Sequence, residues 1–104
     1  MERVGFAMRL LPGAEAEYRH RHAAVWPEML AELRTAGCRN YSIFQRGDDL
    51  FAYLEVEDFE RFRVYMNASE VNARWQADMD TLIDPLIDPA TGFHRRLEEV
   101  FHVD

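Results

Sequence analysis

The stretch Cys38-Arg39-Asn40-Tyr41-Ser42-Ile43-Phe44-Gln45-Arg46-Gly47-Asp48-Asp49-Leu50-Phe51-Ala52-Tyr53-Leu54-Glu55-Val56 holds two alternating runs on either side of a turn. In the first run, Arg39, Tyr41 and Ile43 fall on one face, and Asn40, Ser42 and Phe44 on the other. In the second, Leu50, Ala52, Leu54 and Val56 stand against Phe51 and Tyr53. Side chains of period two belong to strands, and Arg46-Gly47-Asp48-Asp49 is rich in turn residues, so the stretch predicts a β-hairpin. Its second strand is apolar or aromatic on both faces. Helices can cover only one face of an antiparallel sheet, so the other needs a partner, and a homodimer with its open sheet faces together meets that need.

On the N-terminal side, Gly37 fits the end of a helix, where the chain turns left-handed. Before it, Tyr18, His22, Val25, Trp26, Met29, Leu30 and Leu33 recur at spacings of three and four, with Arg19, Arg21, Glu28, Glu32 and Arg34 mostly between them. That spacing predicts an amphipathic helix from near Ala14, with a kink or a fresh first turn at Pro27. Pro12-Gly13 separates it from Val4, Phe6, Met8 and Leu10, which alternate with Arg3, Gly5, Ala7 and Arg9 as in a half-buried strand. On the C-terminal side, Asp58 can cap a helix presenting Phe59, Phe62 and Met66. Ser69 can cap another, carrying Val71, Trp75, Met79 and Leu82. Asp84 to Gly92, with Pro85 and Pro89, reads as a loop, and Leu97 to Val103 as a closing strand. The order strand, helix, strand, strand, helices, strand predicts an α+β fold, a ferredoxin-like βαββαβ sandwich with helices on one face of an antiparallel sheet. A single domain over residues 1–104 is expected.

Composition narrows the function. The chain is 48% hydrophobic and carries a formal net charge of -7, with twelve basic residues that are all arginine. Without a basic face, nucleic acid is not an expected partner. No run approaches the roughly 18 apolar residues of a membrane span. Met1 to Arg9 lacks the apolar core of a signal peptide. With Cys38 as the one cysteine, a reducing, cytoplasmic setting is expected.

His22 is the polar member of an otherwise apolar stripe, one helical turn after Tyr18. The two side chains emerge on one face, close enough to flank a small molecule. Taken alone, His22 is either a satisfied core histidine or a catalytic one. His20 points about 200° around the helix from His22, so the two cannot share a metal ion. His94, beside Arg95 and Arg96, reads as solvent-exposed, and His102 as an edge residue of the last strand. No metal site is expected. Neither Ser42 nor Ser69 sits in a nucleophile elbow, Cys38 has no evident base, and there is no glycine-rich phosphate loop. Acid and base chemistry by histidine, without a cofactor, is what remains. Trp75 serves either as core or as a wall stacking on a sugar ring, with Arg74 and Gln76 at the rim. Tyr41 needs a partner for its hydroxyl if buried.

Together, Glu17-Tyr18-Arg19, His22, Trp26-Pro27-Glu28, Asn40-Tyr41-Ser42, Arg74-Trp75-Gln76 with Met79, and Leu97-Glu98-Glu99-Val100-Phe101 resemble the L-rhamnose mutarotase family across nearly the whole chain. The resemblance implies a dimeric α/β-barrel type of assembly and a cofactor-free enzyme that interconverts the α and β anomers of a 6-deoxyhexose, a small neutral monosaccharide. It implies His22 as proton donor and Tyr18, Tyr41 and Trp75 as substrate-binding residues; Gln76, beside Trp75, is expected to bind substrate from the rim. Two positions depart from the family pattern. Gln76 stands where a second tryptophan is common, and Ile87-Asp88-Pro89-Ala90-Thr91-Gly92 replaces an Asn-Pro-Asp-Asn-Ser-Pro type of loop; both bear on which sugar is chosen, L-rhamnose or L-fucose. A sugar-sensing module without catalysis and a cofactor-free monooxygenase of the same fold are the competing expectations, because fold alone does not fix function.

Overall fold

The computed structural model describes residues 1–104. Strand β1 (Glu2–Leu10) leads through helices α1 (Glu15–His22) and α2 (Pro27–Thr35) to the hairpin of β2 (Arg39–Arg46) and β3 (Asp49–Val56). Helices α3 (Phe59–Ala68) and α4 (Glu70–Met79) follow, and four two-residue strands close the chain: β4 (Ile83–Asp84), β5 (Ile87–Asp88), β6 (Phe93–His94) and β7 (Arg96–Leu97). The main sheet runs β2-β3-β1-β4, with β7 also paired to β1; β5 and β6 form a small ribbon of their own. All pairings are antiparallel. The α+β sandwich expected from the sequence is the fold observed.

The alternation in β1 and β3 sets the two faces. Phe6 lies opposite Ala52, Met8 opposite Leu50 and Val4 opposite Leu54, and all six are buried beneath the helices. With residues from all four helices they form one apolar core that includes Tyr18, Met29, Phe62 and Trp75. On the opposite face Ala7 pairs with Phe51, Phe51 with Phe44, and Gly5 with both Tyr53 and Leu97. Phe44 is 65% exposed there and Leu97 48%. No helix is long and apolar enough to cross a membrane.

Pro27 begins a fresh helix. Trp26 adopts an extended conformation as the N-cap of α2, with Pro27 at the first helical position, where its missing N–H costs no hydrogen bond. Gly37 has φ +87° and ends α2 in the left-handed conformation expected of it. Both expected caps form: the Asp58 carboxylate accepts from the Arg61 N–H at 3.1 Å, and the Ser69 hydroxyl accepts from the Asn72 N–H at 3.1 Å.

Five expectations are corrected. Arg39 does not share a face with Tyr41, because a bulge between Arg39 and Ser42, with Asn40 at φ +51°, sets Arg39 opposite Glu55. The segment Asp84 to Gly92 is not simply a loop, since Ile87 pairs with His94 and Asp88 with Phe93. The closing strand from Leu97 to Val103 is cut to Arg96–Leu97. Beyond it Val100, Phe101 and Val103 are 91%, 79% and 73% exposed, because this chain offers no surface to bury them. His94 is buried rather than in solvent, at 9% exposure, and His102 lies in the irregular tail with no strand around it.

Candidate active site

A cavity of 610 Å³ opens between the sheet and the helices, within the roughly 300–1,000 Å³ usual for small-molecule sites. Its wall includes His22, Tyr41, Trp75, Gln76 and His94, with Phe6 at its base. His22 enters from the last turn of α1. Arg21, beside it, holds that turn in place by pairing with Glu17 at 2.8 Å and reaching Asp78 of α4 at 3.2 Å.

His22 is fixed by its backbone. Its Nδ1 lies 2.9 Å from the Tyr18 carbonyl oxygen one turn earlier. A carbonyl can only accept, so Nδ1 carries the hydrogen and Nε2 is left as the reactive nitrogen. The ring packs against Tyr18 with centroids 4.1 Å apart and meets Trp75 edge-on at 5.4 Å. Burial lowers the imidazole pKa from its ordinary value, and the bond to the Tyr18 carbonyl opposes that shift in part.

Tyr18 backs the cavity rather than lining it. It is buried, and burial pushes its phenol up to about 12. Tyr41 is also raised, first by burial and then by the charge-sensitive groups of Tyr18 and Cys38. The Tyr41 residue is still 37% exposed, and its ring stands edge-on to Phe6 at 6.2 Å. Neither tyrosine is a ready acid near neutrality, which suits Tyr41, the one on the cavity wall, to holding a hydroxyl group by a hydrogen bond. Trp75 is buried in α4 and meets Trp26 edge to face at 5.1 Å. Gln76 donates from Nε2 to Asn72 Oδ1 at 3.2 Å, which leaves its carbonyl oxygen for another donor. Arg74 turns away, its guanidinium lying over the Trp26 ring at 5.8 Å.

The sequence reading thus placed four residues in the cavity wall, His22, Tyr41, Trp75 and Gln76, with Tyr18 directly behind His22. It missed His94, Phe6 and Asp80. Phe6 was legible only as core, and His94 was masked by the arginines that follow it. Cys38 is buried and its thiol is pushed up to about 11, which leaves it inert. His20 stays on the surface, and no three His, Cys, Asp or Glu side chains converge as metal ligands.

The sequence profile of the L-rhamnose mutarotase family matches residues 3–103. The chain belongs to the L-rhamnose mutarotase family. An L-rhamnose mutarotase of Oceanobacillus iheyensis is 39% identical over 106 residues, with both chains covered in full. One of Burkholderia orbicola is likewise 39% identical, over 111 residues and all of both chains. Among solved structures, an L-rhamnose mutarotase from Formosa agariphila superposes with a TM-score of 0.81 at 29% identity, each chain being covered in full.

Proposed function

We propose that this protein interconverts the α and β anomers of L-rhamnose by opening and reclosing the pyranose ring without a cofactor. The observation that carries the reading is His22: a ring locked by the Tyr18 carbonyl, with Nε2 free at the wall of a cavity of small-molecule size. Ring opening takes a proton from the anomeric hydroxyl and gives one to the ring oxygen. Rotation about the bond to C1 and closure from the other face complete the inversion. In this reading protonated His22 gives its Nε2 proton to the ring oxygen and recovers it on closure. Burial makes the imidazolium a stronger acid than free histidine, which favours that transfer. Tyr41 holds a sugar hydroxyl, Tyr18 braces the His22 ring from behind instead of binding the sugar directly, Trp75 packs against the apolar edge of the sugar, and the Gln76 carbonyl accepts from a hydroxyl at the rim.

The working unit we propose is a homodimer closed through the open sheet face, in the cytoplasm, acting on a neutral monosaccharide. Phe44, Phe51 and Leu97 on that face, and the exposed apolar tail beyond it, support the dimer. The test is saturation transfer between the anomeric protons of L-rhamnose with and without protein. The parent should accelerate exchange, and a folded His22→Ala variant should lose about 10²- to 10⁴-fold of that acceleration, the usual contribution of a positioned acid. Exchange in the variant at the parent rate would remove His22 from the reaction. Binding of sugar by the parent with no acceleration would make the protein a sensor.

A further inference from the structure

His94 is built in the same way as His22. Its Nδ1 lies 2.6 Å from the Pro85 carbonyl oxygen, so Nδ1 carries the hydrogen and Nε2 is the lone-pair nitrogen. The ring is stacked on Phe6 at 4.5 Å with a 10° angle between planes, and Phe93 closes on its edge at 5.1 Å. Its Nε2 has no hydrogen-bond partner in the protein, yet no unpartnered side-chain nitrogen or oxygen is sealed inside the fold, so this atom opens to the cavity that His94 lines. Both histidines are packed among rings at the same cavity: Tyr18 lies against His22 at 4.1 Å, while Phe6, under His94, meets Tyr41 edge-on at 6.2 Å.

We propose that His94 is a second catalytic residue of this site, the base that takes the proton from the anomeric hydroxyl while His22 gives one to the ring oxygen. The proposal rests on the ring-opening reading above. Protons balance in each half-reaction. On opening, neutral His94 becomes the imidazolium and His22 becomes neutral as the C1 to ring-oxygen bond breaks and the aldehyde forms. On closure, His94 returns its proton to the carbonyl oxygen while His22 takes the proton of the attacking hydroxyl. Burial lowers the His94 pKa overall, which keeps the ring neutral and ready to accept; the Pro85 carbonyl and then Asp80, at the end of α4 and also on the cavity wall, oppose that shift in part and favour the charged form the ring takes once the anomeric proton arrives. Of the arginines that follow it, Arg96 turns its guanidinium onto the Phe59 ring at 4.4 Å. His94 comes from β6 of the β5–β6 ribbon, two residues beyond Gly92.

The decisive variant is His94→Asn, whose amide can still donate to the Pro85 carbonyl but cannot take up a proton. We expect kcat for L-rhamnose anomer exchange to fall about 10²-fold with KM little changed. The parent should be most active when the pair carries one proton, and His94→Asn should lose the acid limb of that pH profile. A parent-like kcat and pH profile in folded His94→Asn would overturn the proposal while leaving the His22 reading intact. A parent that accelerates no exchange at all would overturn both. If His94→Asn folds poorly, His94→Ala with imidazole in the buffer decides: restored exchange supports the role, and a loss that imidazole does not restore counts against it.

Discussion

At the scale of the residue, two histidines are each held by a backbone carbonyl at Nδ1 and desolvated by the core, and burial lowers the pKa of both. That has a consequence for folding as well as for chemistry. The unfolded chain takes up protons at these positions near the ordinary value of about 6.5, whereas the folded chain resists until a lower pH. The contribution to stability is therefore full above that value and declines as pH falls towards the folded values. Thermal unfolding followed by circular dichroism should show the melting temperature dropping between about pH 7.5 and pH 5.5, above the range in which carboxylates titrate. A His22→Asn, His94→Asn double variant should show a flatter dependence, and an unchanged slope would mean that neither ring is desolvated in solution. The two residues differed in legibility for a physical reason. His22 follows Tyr18 by one helical turn, a local relation that spacing displays. His94 reaches the cavity only because a two-residue ribbon folds it onto Phe6 of a distant strand, and no local pattern encodes that contact.

Elements rather than residues set where α3 and α4 sit. Ser69 ends α3 and starts α4, accepting from the Asn72 N–H, and its hydroxyl donates to Glu32 of α2. The other Glu32 oxygen receives the Tyr65 hydroxyl at 2.9 Å, so one carboxylate ties three helices together along the cavity wall. Ser69→Ala removes the cap and one partner of a part-buried carboxylate, and should cost about 1–2 kcal/mol. At roughly 4–8 °C per kcal/mol for a small domain, differential scanning calorimetry would register it clearly. A change of less than a degree would mean that water replaces the hydroxyl at no cost. Caps, the break at Pro27 and the central hairpin were legible because each has a local signature: an oxygen-bearing side chain, a missing N–H, a change of period. The bulge at Asn40 and the short strands β4 to β7 were not, since two residues carry no periodicity and a bulge is chosen by the register of its neighbour. The alternation from Leu97 onward was real, but a ladder needs a second strand, and beyond Leu97 the chain provides an Arg3–Glu99 ion pair at 2.8 Å and no further pairing.

For the whole molecule, the uncovered sheet face is the feature that one copy of the chain leaves unresolved. Phe44 and Phe51 face each other across β2 and β3 at 65% and 36% exposure, and the tail adds Val100, Phe101 and Val103. Sedimentation velocity should find the parent as a dimer. Phe44→Glu, which places a carboxylate in the middle of that apolar face, should shift it towards monomer with at least a tenfold weaker association. A parent that sediments as a monomer at all concentrations would reject the dimer. The open face was legible in the two-sided apolar pattern of Leu50 to Val56, because amphipathicity reports what must be covered even when it does not report what covers it.

The chain has two tryptophans, and they touch: Trp26 and Trp75 meet edge to face at 5.1 Å, with Trp75 standing against His22. All of the indole fluorescence of this protein therefore originates at one wall of the cavity. Whatever occupies that space, or alters the charge on His22, acts directly on Trp75 and, through it, on Trp26 packed behind, while the rest of the fold contributes no indole background. The same aromatic packing that shapes the site gives it a built-in optical reporter, readable even in variants that no longer turn over.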